Sequence, residues 1–194
     1  MSTPGRRSGP DEGRTTGLDD EADRWLVGRA RGGDRNAYEE LVRRHRDRIY
    51  RIALRMLGSP ADADDVAQEV VIQLWTALAG FGGTSTFTTW LYRVVVNRCL
   101  NHRRAQRPHR ELEDTDHPRV PGPERRVLAG EELQAGLAAI STLPEEQRVP
   151  LVLVQLEGLS YRQAAAVTKT TEATVRGRLA RARATLMAEM KDWT

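Results

Sequence analysis

The chain has one cysteine, two phenylalanines and two lysines among its 194 residues, and each scarcity removes a class of protein. A lone Cys99 forbids an internal disulfide and gives no sign of an oxidising compartment. With aromatics at 5% and hydrophobic residues at 39%, the composition is polar for one large core and suits small helical bundles. No apolar run approaches the roughly 18 residues needed to span a bilayer, and the polar N-terminus lacks the apolar stretch of a secretory leader. The expectation is a cytoplasmic protein with no membrane insertion. No stretch alternates with period two, so no sheet is expected. Carboxylates and histidines form no catalytic constellation, and no glycine-rich phosphate loop is present, which argues against an enzyme. Cys99, His102, His109 and His117 match no usual zinc spacing, so neither metal nor cofactor is expected.

What the chain does have is punctuation. Residues 1–20 mix Gly, Pro, Ser, Thr and charge without periodicity and read as a disordered tail. Prolines 108, 118, 121 and 123 mark a linker over 106–128. The fold class that follows is all-α: two small helical domains, 21–105 and 129–194, joined by a flexible Pro-rich linker and free to move independently.

In the first domain Tyr38, Leu41, Val42, His45, Ile49, Ile52, Ala53 and Met56 recur at steps of three and four, and most of the nearby arginines fall on the other side. Gly58 ends this helix and Ser59-Pro60 caps the next, which carries Val66, Val70, Leu74 and Leu78 on one stripe. A Gly82–Thr86 loop precedes a third helix from Phe87 to about Arg104. In the second domain a helix opens at Leu143-Pro144-Glu145-Glu146 and ends at Gly158, with Pro150 expected to bend it. Ser160-Tyr161-Arg162-Gln163 is a capping box. Thr170-Thr171 then breaks the chain before a long last helix, which makes a helix-turn-helix candidate.

Net charge is only +3, but its distribution is uneven. All but two of the 30 basic residues are arginine, the residue that forks onto phosphate, although a GC-rich genome gives the same bias. No Lys or Arg occurs between Arg55 and Arg93, while Asp62, Asp64, Asp65 and Glu69 crowd one helix. Dipole complementation accounts for Asp62 and Asp64; a base-free helix that also shows Gln68, Gln73 and Trp75 points to a protein-binding surface. The third helix is the reverse, with Arg93, Arg98, Arg103 and Arg104 and no acid before residue 105. Its aromatics Phe87, Trp90 and Tyr92 suit base stacking, and Trp90 and Tyr92 serve equally well as core. On the last helix Val175, Leu179, Ala182 and Leu186 form the buried stripe. Glu172, Ala173, Arg176 and Gly177 are then left toward bases, and Arg178, Arg181 and Arg183 toward phosphates.

Taken in series, these segments resemble the extracytoplasmic-function (ECF) sigma factors of bacterial RNA polymerase. Ala37 to Val42 and Asp62 to Trp75 are similar to the polymerase-binding helices of sigma domain two. Thr86 to Asn97 is similar to its promoter-melting segment, and Leu143 to Arg148, Leu156 to Tyr161 and Thr174 to Arg183 resemble sigma domain four. The resemblance implies that Asp64, Asp65, Gln68, Glu69 and Gln73 meet the beta-prime clamp of core RNA polymerase, and that the beta flap is a further contact. It implies that Thr84 and Ser85, in a loop that receives a flipped base, act with Phe87, Trp90, Tyr92, Arg93, Asn97 and Arg98 on the downstream promoter element. Thr171, Glu172, Ala173, Thr174, Arg176, Gly177, Arg178 and Arg181 would read the upstream element in promoter DNA. An anti-sigma factor is the implied regulator. Two readings stand beside this one: an operator-binding helix-turn-helix regulator, and a sigma mimic that only binds proteins. Where the family has a leucine-glycine-aliphatic turn, this chain has Thr168-Lys169-Thr170, which is expected to strain a position that favours positive φ.

Overall fold

The computed structural model describes residues 12–112 and 131–191, with side chains over 20–106 and 135–188. Among the described residues there is no strand. The chain forms α1 (Glu12–Arg31), α2 (Arg35–Leu57), α3 (Pro60–Ala77), a 3-10 turn (Leu78–Gly80) and α4 (Phe87–Leu112). After the linker come α5 (Glu131–Thr142), α6 (Glu145–Pro150), a π-helical segment (Leu151–Leu156), α7 (Tyr161–Thr168) and α8 (Glu172–Lys191).

Two boundaries move from the sequence expectation. Residues 12–20, expected as tail, are the first turns of α1. Leu26, Val27 and Ala30 of α1 are buried in the core, and once those turns are fixed, extending a helix costs little. Likewise α4 continues through Pro108 to Leu112, because a helical proline forfeits one hydrogen bond without forbidding continuation. The rest of the expected linker, with His117, lies outside the described residues, as do residues 1–11.

The Ser59 and Ser160 caps expected from the sequence are present, and Asp34 is a further cap outside those expectations. The Asp34 side chain accepts from the Ala37 amide at the start of α2, and the Ser59 hydroxyl accepts from the Asp62 amide ahead of Pro60. Gly58 ends α2 in the left-handed region at φ 75°, and a Cβ there would lie 2.9 Å from the Ser141 Cβ of α5. Both conformation and proximity therefore demand glycine. The capping box at Ser160 and Gln163 is formed in both directions. Pro150 does interrupt its helix, but as a change of pitch: Glu157 N–H reaches back five residues to the Val152 carbonyl.

The turn of the helix-turn-helix is strained as expected. Lys169 ends α7 at φ 54°, ψ 42°, the one non-glycine with positive φ among the described residues. A side chain in that region costs about 1–2 kcal/mol, partly offset by glycine's greater freedom when unfolded. Lys169→Gly is therefore expected to stabilise the protein by about 1 kcal/mol, read as a higher denaturant midpoint. An unchanged or lower midpoint would contradict the strain.

The two halves are not independent in this structure. A single apolar core runs from Leu41, Ile52, Val66, Leu74, Leu91 and Val95 of the first half into Val149, Val152, Leu153, Ala164, Val167 and Val175 of the second. Leu143, Leu151, Leu179 and Ala182 make a smaller cluster behind α8. Arg148 is the largest fully buried side chain at 1% exposure. Its guanidinium donates to the carbonyls of Ile140, Ser141 and Leu143 in its own half and of Met56 at the end of α2.

Candidate nucleic-acid and partner interfaces

The first surface is the outer face of α3. Burying Ala63, Val66, Val70 and Leu74 turns Asp64, Asp65, Gln68 and Gln73 to solvent. Ile72 and Trp75 share that exposure at 73% and 37%. The Tyr38 ring packs edge-on against Trp75 at 4.9 Å, and its hydroxyl donates to the Val71 carbonyl. This face is acidic toward the start of α3 and apolar toward its end, with no basic residue of its own, and it suits a protein partner. Glu69 differs from the others: it is half-buried and paired with Arg98 of α4 at 2.5 Å. One ion pair thus joins a residue expected to meet polymerase to one expected to meet promoter DNA. Asp62 faces the same helix, where its carboxylate accepts from Gln106 and lies 3.3 Å from the His102 ring. Burial alone would raise its pKa, but Gln106, His102 and Ser59 together hold it below the usual value.

The second surface is the Gly82–Thr86 loop and the start of α4. Thr84 is exposed and Ser85 half-buried. The Thr86 hydroxyl accepts from the Thr89 amide and so caps α4. The aromatics divide here. Phe87 is buried at 4% against Phe81, Trp90 and His45, so in this structure it is core. Trp90 keeps a partly exposed edge while packing on Phe81 at 5.2 Å. Tyr92, also at 4%, turns into the junction between the halves, and its hydroxyl donates to Glu157 at 3.1 Å. Burial, then the neighbouring Glu157 charge, pushes that hydroxyl well above the ordinary tyrosine pKa. Arg93 donates to the Ala166 carbonyl of α7 at 2.9 Å, Arg98 holds Glu69, and Asn97 is exposed.

Beneath this surface Asp23 and His45 form a buried pair at 2.8 Å. Arg48 reaches the other ring nitrogen at 3.0 Å, and a guanidinium can only donate. The His45 Nδ1 therefore accepts and its Nε2–H donates to Asp23, which ties α1 to α2 below the loop. Cys99 is fully buried and its thiol is pushed up to about 12 by desolvation. With His102 committed to Asp62 and Gln106, no group of metal-binding side chains forms among the described residues.

The third surface is the helix-turn-helix. Thr171 caps α8 by accepting from the Thr174 amide, as its position predicts. Ala173, Arg176, Gly177 and Arg181 are exposed, while Glu172, Thr174 and Arg178 are half-buried. Arg176 is held over the Tyr161 ring at 5.5 Å and lies 3.5 Å from Glu172, a geometry that pre-orients its guanidinium. Arg178 and Arg183 are steadied by Glu146 and Gln155. Val175, Leu179 and Ala182 are buried, so Arg176, Arg178 and Arg183 flank the buried stripe and Arg181 points farthest from it.

Sequence reasoning misses the residues that join the halves. Glu157 sits inside the Leu156–Tyr161 segment, where its one signal is a lone carboxylate at a helix end before Gly158. Its side chain is 2% exposed and bound by Arg51 at 3.2 Å, by Arg55 and by Tyr92. By spacing alone Arg51 and Arg55 belong to a solvated face. Arg148 has a clearer signal, an arginine directly against the apolar run Val149–Val154.

A helix-turn-helix with an arginine-bearing second helix, packed on a helical unit that shows an acidic face with an exposed apolar end, defines a DNA-binding protein that also docks on another protein. The sequence profile of Sigma-70 region 2 matches residues 41–109, and that of Sigma-70, region 4 matches residues 134–186. The chain is 37% identical over 178 residues to the RNA polymerase sigma-H factor of Pseudomonas aeruginosa, covering 86% of this chain and 92% of that protein. It is 35% identical to the ECF RNA polymerase sigma-E factor of Escherichia coli K12, over 83% of this chain and 90% of the other. Among solved structures it is similar to CnrH in complex with the cytosolic domain of CnrY, at TM-score 0.69, 29% identity and coverage of 89% and 99%. The sigma factor RpoE of Bartonella quintana shares the fold at TM-score 0.67 and 21% identity, with coverage of 79% and 96%. The chain belongs to the ECF family of RNA polymerase sigma factors. It is therefore a transcription-initiation factor. The operator-regulator and sigma-mimic readings give way.

Proposed function

We propose that α3 docks on the beta-prime clamp of core RNA polymerase through Asp64, Asp65, Gln68 and Gln73 together with Ile72 and Trp75. The observation that carries this is the α3 face itself, which is free of basic residues yet exposes two large apolar side chains. Glu69 supports it through Arg98. Thr84 and Ser85 take the extruded base of the downstream element. Trp90, Arg93, Asn97 and Arg98 follow the separated strand, with Phe87 shaping the cluster from inside. Thr171 to Arg181 read the upstream element in the major groove, with Arg176 best placed for a base edge. The beta flap is the expected contact of the second half.

No catalytic step belongs to this chain, whose contribution is to recruit and orient polymerase. No helix among the described residues is long and apolar enough to cross a membrane; the site of action is where polymerase works, the cytoplasm. The Bartonella relative was solved with the anti-sigma factor NepR, and a partner of that kind is the expected regulator here.

Run-off transcription with purified chain, bacterial core polymerase and a promoter library tests the reading. New start sites are expected with the chain and not with core alone, and an Asp64→Arg, Asp65→Arg variant should lose them. New start sites that persist with the variant would refute the α3 assignment, and duplex binding by the parent chain without any initiation would refute the sigma-factor reading of the surface.

A further inference from the structure

We propose that Glu157 is an intramolecular latch: it occupies Arg51, Arg55 and Tyr92, and so holds the two halves closed over part of the nucleic-acid face until a nucleic-acid phosphate takes its place. The masking half of this proposal rests on α4 being a promoter-contacting helix; the latch itself does not.

The geometry has three parts. Glu157 carries one negative charge into the junction, where two arginines from α2 and a hydroxyl from α4 converge on its two oxygens. Arg55 also bonds the Leu156 carbonyl at 2.8 Å, so the turn itself is gripped. The carboxylate is 2% exposed, but Arg51 and Arg55 remain 47% and 24% exposed. Water and a phosphate can therefore approach the arginines from outside while the carboxylate stays covered. A phosphate offers them the same paired oxygens as a carboxylate.

Closure has a selective cost. Tyr92 is buried and one Arg93 nitrogen is engaged by the Ala166 carbonyl, so these two side chains of α4 are drawn toward the second half and away from nucleic acid. The α3 face is left open, with Asp64, Asp65, Gln68, Ile72 and Gln73 all exposed. The closed chain thus keeps its protein-docking face available while it withholds part of its nucleic-acid face. That order suits a factor that should meet polymerase before it meets DNA.

Energy transfer between dyes on Glu39→Cys and Ala184→Cys, in the full-length chain, reads closure; both positions are exposed and Cys99 is buried. The probe is a random-sequence single-stranded oligonucleotide. Glu157→Gln should lower transfer before any probe is added, and Arg51→Ala with Arg55→Ala should do the same. Because removing an acid raises affinity for any polyanion, Asp47→Asn, at a carboxylate 92% exposed, is the charge control. Glu157→Gln should bind the probe about tenfold more tightly than that control, as expected when charge-assisted hydrogen bonds no longer compete. Adding probe to the otherwise unaltered labelled chain should itself reduce transfer. Unchanged transfer in both the Gln and the double-Ala variants would overturn the latch. Opening without tighter binding would overturn the masking. Failure of run-off transcription would instead count against the polymerase assignment and would leave the transfer result standing.

Discussion

Replacing Arg148 by methionine is expected to destabilise the protein by about 3 kcal/mol or more, because several buried carbonyls lose their donor at once. The guanidinium serves carbonyls at the last turns of α2 and α5, where no helical amide is available to them. Those ends also carry the negative pole of each helix dipole, which favours a cation. Methionine fills the volume of the stem but gives the Ser141 and Leu143 carbonyls no replacement donor, while Ile140 keeps the Leu143 amide at 3.3 Å and Met56 a long contact from Arg103 at 3.5 Å. For a chain of this size the loss corresponds to a fall in melting temperature of roughly 6–12 °C. Arg148→Lys keeps the charge but not the planar fork, so it should recover only part of the loss. A melting temperature within about 2 °C of the parent for the methionine variant would show that water replaces the lost bonds.

The second large effect is functional and leaves stability alone. Ile72 is 73% exposed and lies outside the packed core, so Ile72→Asp should melt with the parent protein. Its exposure beside Trp75, at the C-terminal end of a face whose acids lie in the preceding turns, makes it the apolar anchor of the proposed polymerase contact. Central anchors of interfaces contribute about 2–4 kcal/mol, so core binding should weaken roughly thirty- to thousandfold. Fluorescence anisotropy of labelled chain against core polymerase measures this directly. Unaltered affinity would move the docking surface off α3.

Much of the fold is readable from local rules. The α2, α3 and α4 helices and the Ser59, Ser160 and Thr171 caps each follow from a few neighbouring residues, while the αL turn at Lys169 follows from the family resemblance. The buried stripes of α3 and α8 follow from spacing alone. The function follows from four segments in order, each weak by itself. What escapes is non-local. Whether Phe87 and Tyr92 face bases or core depends on Phe81, His45 and Glu157, and the last two are distant in sequence. Arg51 and Arg55 look like surface charge because their partners lie about a hundred residues away, and Arg148 reaches equally far only in its bond to Met56. The start of α1 is hidden for a related reason: its first turns have no periodicity of their own and are helical because the turns after them are packed.

The change of pitch after Pro150 has a consequence for how the second half tolerates altered length. An α-helix turns about 100° per residue, and the segment Leu151–Leu156 accommodates a surplus that regular coiling would not. Removing one residue there would let the backbone return to ordinary coiling with α7 and α8 close to their present bearing, because the wider coil already absorbs the extra residue. A substitution that restored ordinary coiling without shortening the segment would instead turn Glu157, α7 and α8 about the axis. The bearing of the recognition helix relative to the first half is thus held by the pitch of this segment, a phase angle stored in the backbone.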